Sequence, residues 1–146
     1  MMSLIFGILM LSAPEILYLM APKEYMVGAK SLILIVVSVY FQFLYRFPLA
    51  FEQYSINLKW VAVCTVFTAI INLYLNSLFI PTMGIFGAAF ATFISYIILF
   101  SLHEFIARKI IRGYNIKFNN YVPGTIIVIL ISIFSYLLID YLYIRL

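Results

Sequence analysis

Two pairs of polar side chains inside apolar segments are the residues of this sequence best suited to contact a polar ligand. Gln42 and Arg46 are four residues apart, and so are Asn72 and Asn76, so each pair shares one face of a predicted helix. Hydrocarbon penalises such groups, and they therefore face protein or a water-filled cavity. Two alternatives stay open: Arg46 extends to a membrane interface, and the two asparagines bond neighbouring helices together.

Two ionisable residues are candidates for coupling to an ion. Glu15 lies within the first apolar segment, and His103 lies near the end of the fourth, beside a basic stretch. A proton relay through His103 competes with simple hydration at the interface. The sequence shows no Ser/His/Asp set, paired carboxylates, metal-ligand cluster or phosphate-binding glycine loop. We therefore expect no enzyme activity, no cofactor and no metal.

The composition identifies the environment. Of the 146 residues, 66% are hydrophobic and 10% are charged, whereas a soluble domain is roughly 45–50% apolar and about 25% charged. This excludes a soluble enzyme, a disordered chain, a disulfide scaffold and a nucleic-acid-binding module. Its only cysteine, Cys64, has no disulfide partner in the sequence. The chain is predicted to lie in a lipid bilayer.

Five apolar stretches have about the length that crosses a hydrocarbon core, roughly 20 residues each. They span about 2–20, 29–51, 58–80, 84–106 and 121–141. Only helices satisfy their backbone polar groups within lipid, because the alternation of a barrel strand is absent. The sequence predicts an all-α, multi-pass membrane protein with one transmembrane region over 1–146. The turn at Pro81–Gly84 makes the third and fourth helices an antiparallel hairpin.

The basic residues predict the orientation of these helices. One side carries six Lys and Arg residues and the other three: Arg46, Lys59, Arg108, Lys109, Arg112 and Lys117 against Lys23, Lys30 and Arg145. The positive-inside rule then places loops 52–59 and 107–120 in the cytoplasm. The N-terminus is cytoplasmic and the C-terminus outside.

Small residues at the start of the fourth helix predict close helix packing. They recur at intervals of four, which lets two backbones approach. The set comprises Gly84, Gly87, Ala88, Ala91, Thr92 and Ser95.

The stretch Asn72–Ser95 reads N-x3-N-x4-P-x2-G-x2-G-A-A-x-A-T-x-x-S. It resembles the signature of bacterial polysaccharide flippases, the Wzx or RfbX-like branch of the MOP exporter superfamily. The preceding stretches Ala13–Leu17 and Lys23–Tyr25 resemble the helix–loop–helix before that signature, so the resemblance covers roughly residues 10–110.

The resemblance implies a fragment of a two-lobe transporter in the bacterial plasma (inner) membrane. Such transporters flip undecaprenyl-diphosphate-linked oligosaccharide by alternating access for surface polysaccharide biosynthesis. The chain would be part of the second lobe, a polysaccharide biosynthesis protein C-terminal-like domain, with the first lobe absent. The implied partners are the bilayer, the lipid-linked oligosaccharide and the missing N-terminal lobe. The alternatives are a self-standing small membrane protein with a structural or partner-binding role, and a piece of a related multidrug antiporter.

Overall fold

A computed structural model describes residues 2–20, 28–55, 58–111, 114 and 116–145. These residues form α1 (Met2–Met20), α2 (Ala29–Leu44), α3 (Arg46–Tyr54), α4 (Leu58–Ile110), a short 3-10 turn (Phe118–Asn120) and α5 (Val122–Arg145), with no strand among them. Three helical stretches of this part are long and apolar enough to cross a membrane: Lys30–Tyr54, Leu58–Ile110 and Val122–Ile139. The protein is an all-α membrane protein, as its composition predicts.

α4 folds back on itself at Gly84. This residue has φ 58° and ψ −133°, a left-handed φ that glycine adopts without the steric penalty of a side chain. In a straight helix, Asn72 and Ser95 would lie about 35 Å apart, but Nδ2 of Asn72 donates a hydrogen bond of 3.0 Å to Oγ of Ser95. The first arm (58–83) and the second arm (85–110) therefore form the predicted antiparallel hairpin.

The two arms approach closely beside the turn. A Cβ atom on Gly87 would lie 2.3 Å from the backbone oxygen of Phe79, a separation that no side chain allows. The rings of Phe79 and Phe90 meet edge to face at 5.4 Å. Gly87, Ala91 and Ser95 are all buried at this interface, so the small residues allow the contact between the arms.

The predicted helix over 29–51 is present with one interruption. α2 ends at Leu44 and α3 begins at Arg46, with Tyr45 between them. Pro48 explains the break, because it has no N–H to donate to the carbonyl of Leu44 and its ring crowds that oxygen. α3 continues to Tyr54, so the prediction that a loop begins at residue 52 is wrong. At the other predicted loop, over 107–120, α4 extends to Ile110.

α1, α2, the second arm of α4 and α5 share one apolar core. Met10, Tyr40, Phe100 and Val128, one from each of these elements, are all buried in it. The first arm contributes little, because its buried residues are Cys64 and Thr68 alone. Most of its surface is apolar and exposed, as expected for a helix in contact with lipid or another chain.

Some residues used in the predictions fall outside this description. They are the stretch Lys23–Tyr25 and Arg112, together with the side chains of residues 13–15, Leu17 and Arg145.

Candidate functional site

A polar groove runs between the two arms of α4. Its volume is about 380 Å³, and its lining is formed by Thr65, Thr68, Ala69, Asn72, Thr92, Ser95, Tyr96 and Leu99. These residues lie near the middle of both arms, so the groove belongs to the membrane-spanning part of the hairpin. A groove with this many hydroxyl and amide groups is suited to hydrogen bonding with a polar ligand.

Amide side chains connect the two walls of the groove. Nδ2 of Asn76 donates to Oδ1 of Asn72 at 3.0 Å, and Nδ2 of Asn72 donates to Oγ of Ser95 at the same distance. The hydroxyl of Ser95 in turn donates to the carbonyl of Ala91 at 2.7 Å. The structure thus brings Asn72 and Asn76 to the hairpin interface, where they hold the two arms in register.

The hydroxyl of Thr68, which lines this groove, is an exception among buried hydroxyl groups. Thr68 is buried, and its Oγ1 has no hydrogen-bond partner among the described residues. Buried hydroxyl groups almost always have a partner in folded proteins. The described residues therefore leave the hydrogen-bonding capacity of this buried hydroxyl unused.

Gln42 and Arg46 lie elsewhere. Neither lines the hairpin groove. Gln42 is half-buried on α2, whereas Arg46 is exposed at the start of α3, beyond the interruption at Tyr45. Of the four predicted cavity residues, Asn72 lines the groove and Asn76 bonds to it, whereas Gln42 and Arg46 lie away from the groove.

A buried acid–imidazole pair lies at the end of the bundle opposite the hairpin turn. Glu52 on α3 and His103 on α4 are both 0% exposed, and Nδ1 of His103 lies 2.7 Å from Oε2 of Glu52. The ring of Tyr45 contacts the imidazole, with 5.6 Å between centroids. The remaining polar atoms of the pair, Oε1 and Nε2, have no partner among the described residues. The interpretation of His103 as hydrated at the interface is therefore wrong.

Glu104, the residue after His103, organises a second polar cluster. It accepts hydrogen bonds from Nη2 of Arg108 and from the hydroxyl of Tyr114, each at 2.5 Å, and a longer one from Tyr121. Arg108 also donates to the carbonyl of Ile116 at 2.8 Å. These bonds hold the segment before α5 against the end of α4.

The two phenols of this cluster are kept protonated. Burial raises the pKa of Tyr114, and its hydrogen bond to the Glu104 carboxylate raises that pKa further. Burial likewise raises the pKa of Tyr121. Both tyrosines therefore stay hydrogen-bond donors at every pH in the physiological range.

The described residues contain no group of three or more His, Cys, Asp or Glu side chains that would hold a metal ion. The chemistry they offer is hydrogen bonding in the hairpin groove and proton binding at the Glu52–His103 pair. Comparison with protein-family models, with curated proteins and with solved structures found no match.

Proposed function

We propose that this chain is part of a transporter that moves undecaprenyl-diphosphate-linked oligosaccharide across the bacterial plasma membrane. The resemblance of the Asn72–Ser95 stretch to the flippase signature suggests this substrate. The observation that supports it best is the polar groove of about 380 Å³ between the arms of a membrane-spanning hairpin.

A polar groove at this depth is unfavourable against acyl chains. The hydroxyl of Thr68, which has no partner among the described residues, gains a hydrogen bond only if the groove admits water, a polar ligand or another protein segment. Sugar hydroxyl groups form such bonds with amides and threonines. The groove thus supplies one wall of a cavity whose opposite wall, in this proposal, is the N-terminal lobe of the transporter.

The positions of the cations support a cytoplasmic location for one end of the bundle. Because the α4 hairpin is antiparallel, Lys59 lies at the same end as Arg108 and Lys109. α3, which begins at Arg46, packs at this end through Glu52. In this proposal the end rich in cations is cytoplasmic and the turn at Gly84 faces outward.

A self-standing membrane protein that binds a partner helix is the second candidate. The observation that favours it is the exposed apolar surface of the first arm, including Leu73 at 71% and Ile70 at 60% exposure. Such a protein would use the groove to bind a polar residue of its partner rather than a glycan.

Replacement of Thr68 by valine tests the proposal. The two side chains have the same shape, and Oγ1 of Thr68 has no bond within the described residues to lose. Thr82→Val is the matched control, since its hydroxyl bonds to carbonyls of its own helix outside the groove. Both substitutions are made on the chromosome of the native host, so that the chain keeps whatever protein completes it.

The measurement is the fraction of lipid-linked oligosaccharide that a membrane-impermeant reagent reaches on intact cells. We expect Thr68→Val to lower this fraction several-fold, because it removes one hydrogen bond to the substrate. Thr82→Val should leave the fraction unchanged, and both variant proteins should accumulate to the normal level. Unchanged glycan export after deletion of the whole reading frame would contradict the proposal and favour the partner-binding candidate.

A further inference from the structure

α3 lies across one end of the polar groove in the α4 hairpin. Thr68 on the first arm and Leu99 on the second line this groove. One helical turn beyond them, on the same faces, lie Cys64 and His103. The Glu52 carboxylate of α3 reaches both, since it lies 2.7 Å from Nδ1 of His103 and interacts electrostatically with the thiol of Cys64. All three of these side chains are buried, so α3 covers this end of the groove.

The connections of α3 to its neighbours allow it to tilt. Pro48 interrupts the helix at Tyr45, and helices bend at such interruptions. The first arm begins at Leu58, shortly after α3 ends, so α3 stays close to that arm. To the second arm, by contrast, α3 is bound through side chains, with the Glu52–His103 pair at the centre of the contact. A tilt about Tyr45 therefore separates α3 from the second arm.

Opposing terms act on the contact between α3 and the second arm. The bond between Oε2 of Glu52 and Nδ1 of His103 favours it. The same contact buries Oε1 of Glu52 and Nε2 of His103, neither of which has a partner among the described residues. Burial of such atoms is costly, and water would bond to both if α3 tilted away. The separated arrangement is therefore accessible without unfolding of the bundle.

We propose that α3 is a gate over this end of the hairpin groove and that the Glu52–His103 pair holds the gate closed. When the pair breaks, α3 tilts away from the second arm, and water or a polar ligand enters the groove between the arms. This inference deepens the proposed function, since it names what controls entry to the same groove. Its test measures thiol reactivity rather than glycan export, so each proposal can fail without the other.

Thiol labelling of the full chain tests the gate in membrane fragments of the native host, in which both faces meet the buffer. The reagent is a charged, water-soluble methanethiosulfonate. Cys64, the chain's single cysteine, reports whether α3 has left the arms. Thr68→Cys, in a Cys64→Ala background, reports entry one turn deeper. Thr82→Cys in the same background is the control position, because Thr82 is exposed beside the hairpin turn, at the end of the bundle opposite α3.

We expect slow labelling of Cys64 and of Thr68→Cys while the pair is intact. His103→Leu removes the partner of the Glu52 carboxylate and should raise both rates about tenfold or more, since a buried unpaired charge is stabilised by reaching water. Exchange of the two residues, Glu52→His with His103→Glu, restores an acid–imidazole pair and should return both rates to low values. Gln53→Leu, which changes the exposed neighbour of Glu52, should alter neither rate.

Three results would overturn the inference. One is a Cys64 rate that His103→Leu does not change, which would show that the pair does not hold α3 in place. Another is a faster rate at Cys64 with none at Thr68→Cys, which would show that α3 moves without opening the groove. The third is an exchanged variant as reactive as His103→Leu, or an equal rise at Thr82→Cys, either of which would assign the effect to general loosening of the bundle.

Discussion

The buried pair of Glu52 and His103 gives the sharpest stability prediction. His103→Leu leaves the Glu52 carboxylate at 0% exposure without a partner, since its other oxygen has none among the described residues. Breaking a buried ion pair from one side destabilises a protein by about 3–5 kcal/mol. Glu52→Leu leaves a buried imidazole unbonded, which costs about 1–3 kcal/mol.

The double variant is predicted to behave differently from the sum of the singles. Adding the two losses predicts a loss of about 4–8 kcal/mol in the free energy of unfolding. Replacing both members by leucine removes both polar groups at once, and such replacements are about neutral in stability. We therefore expect the coupling energy between Glu52 and His103 to be nearly as large as the sum of the two single losses.

Reversible unfolding of the full chain in mixed detergent micelles measures these free energies, with Trp60 fluorescence and far-ultraviolet circular dichroism as signals. Gln53→Leu is the control, because Gln53 is the exposed neighbour of Glu52 and its change should stay within about 0.5 kcal/mol. A loss below about 1 kcal/mol for His103→Leu would refute the reasoning, since a buried carboxyl group left without a partner costs at least that much. A double variant as unstable as the two singles combined would refute it equally.

Two further predictions concern the hairpin turn and the tyrosine cluster. Gly87→Ala places a Cβ atom 2.3 Å from a backbone oxygen of the facing arm, so we expect the free energy of unfolding to fall by about 1–3 kcal/mol in the same assay. Gly28→Ala is the control and should have little effect, because nothing lies within 4 Å of its Cβ. Equal losses for the two variants would contradict this reasoning. Because the folded chain raises the pKa of Tyr114, the stabilisation from its proton is complete below the ordinary tyrosine pKa of about 10 and declines as the pH rises above that value. Tyr114→Phe should make this alkaline decline shallower, and a decline of unchanged steepness would argue against the assignment.

The helices could be predicted because membrane thickness fixes their length. The antiparallel hairpin followed as well from the turn at Pro81–Gly84, but its register, which places Asn72 beside Ser95, came only from the structure. Pro48 was visible in the sequence, but membrane helices tolerate proline where other groups satisfy the freed carbonyl, so composition alone did not locate the break at Tyr45.

The pairing of Glu52 with His103 was beyond sequence reasoning for a physical reason. Fifty-one residues separate the two side chains, and no periodicity connects them. The polar residues that follow Glu52 favour a hydrated loop, and a histidine beside a basic stretch favours an interface. Only the packing of α3 against α4 removes both side chains from water, and each then becomes the partner that makes burial of the other tolerable.

The polar groups of the bundle are satisfied in two different ways, and the difference bears on function. At one end, Glu52 and His103 pair within the chain, and Glu104 gathers Arg108 and Tyr114 around it. In the hairpin groove, by contrast, the hydroxyl of Thr68 stays open on an arm with only one other buried residue. Glu52 and His103 each form one bond within the chain and keep one polar atom without a partner among the described residues, whereas Oγ1 of Thr68 forms no bond with any of them, which is costly in hydrocarbon unless a ligand or a neighbour bonds to it. We therefore propose that a substrate or a second polypeptide acts on the arm from 58 to 83.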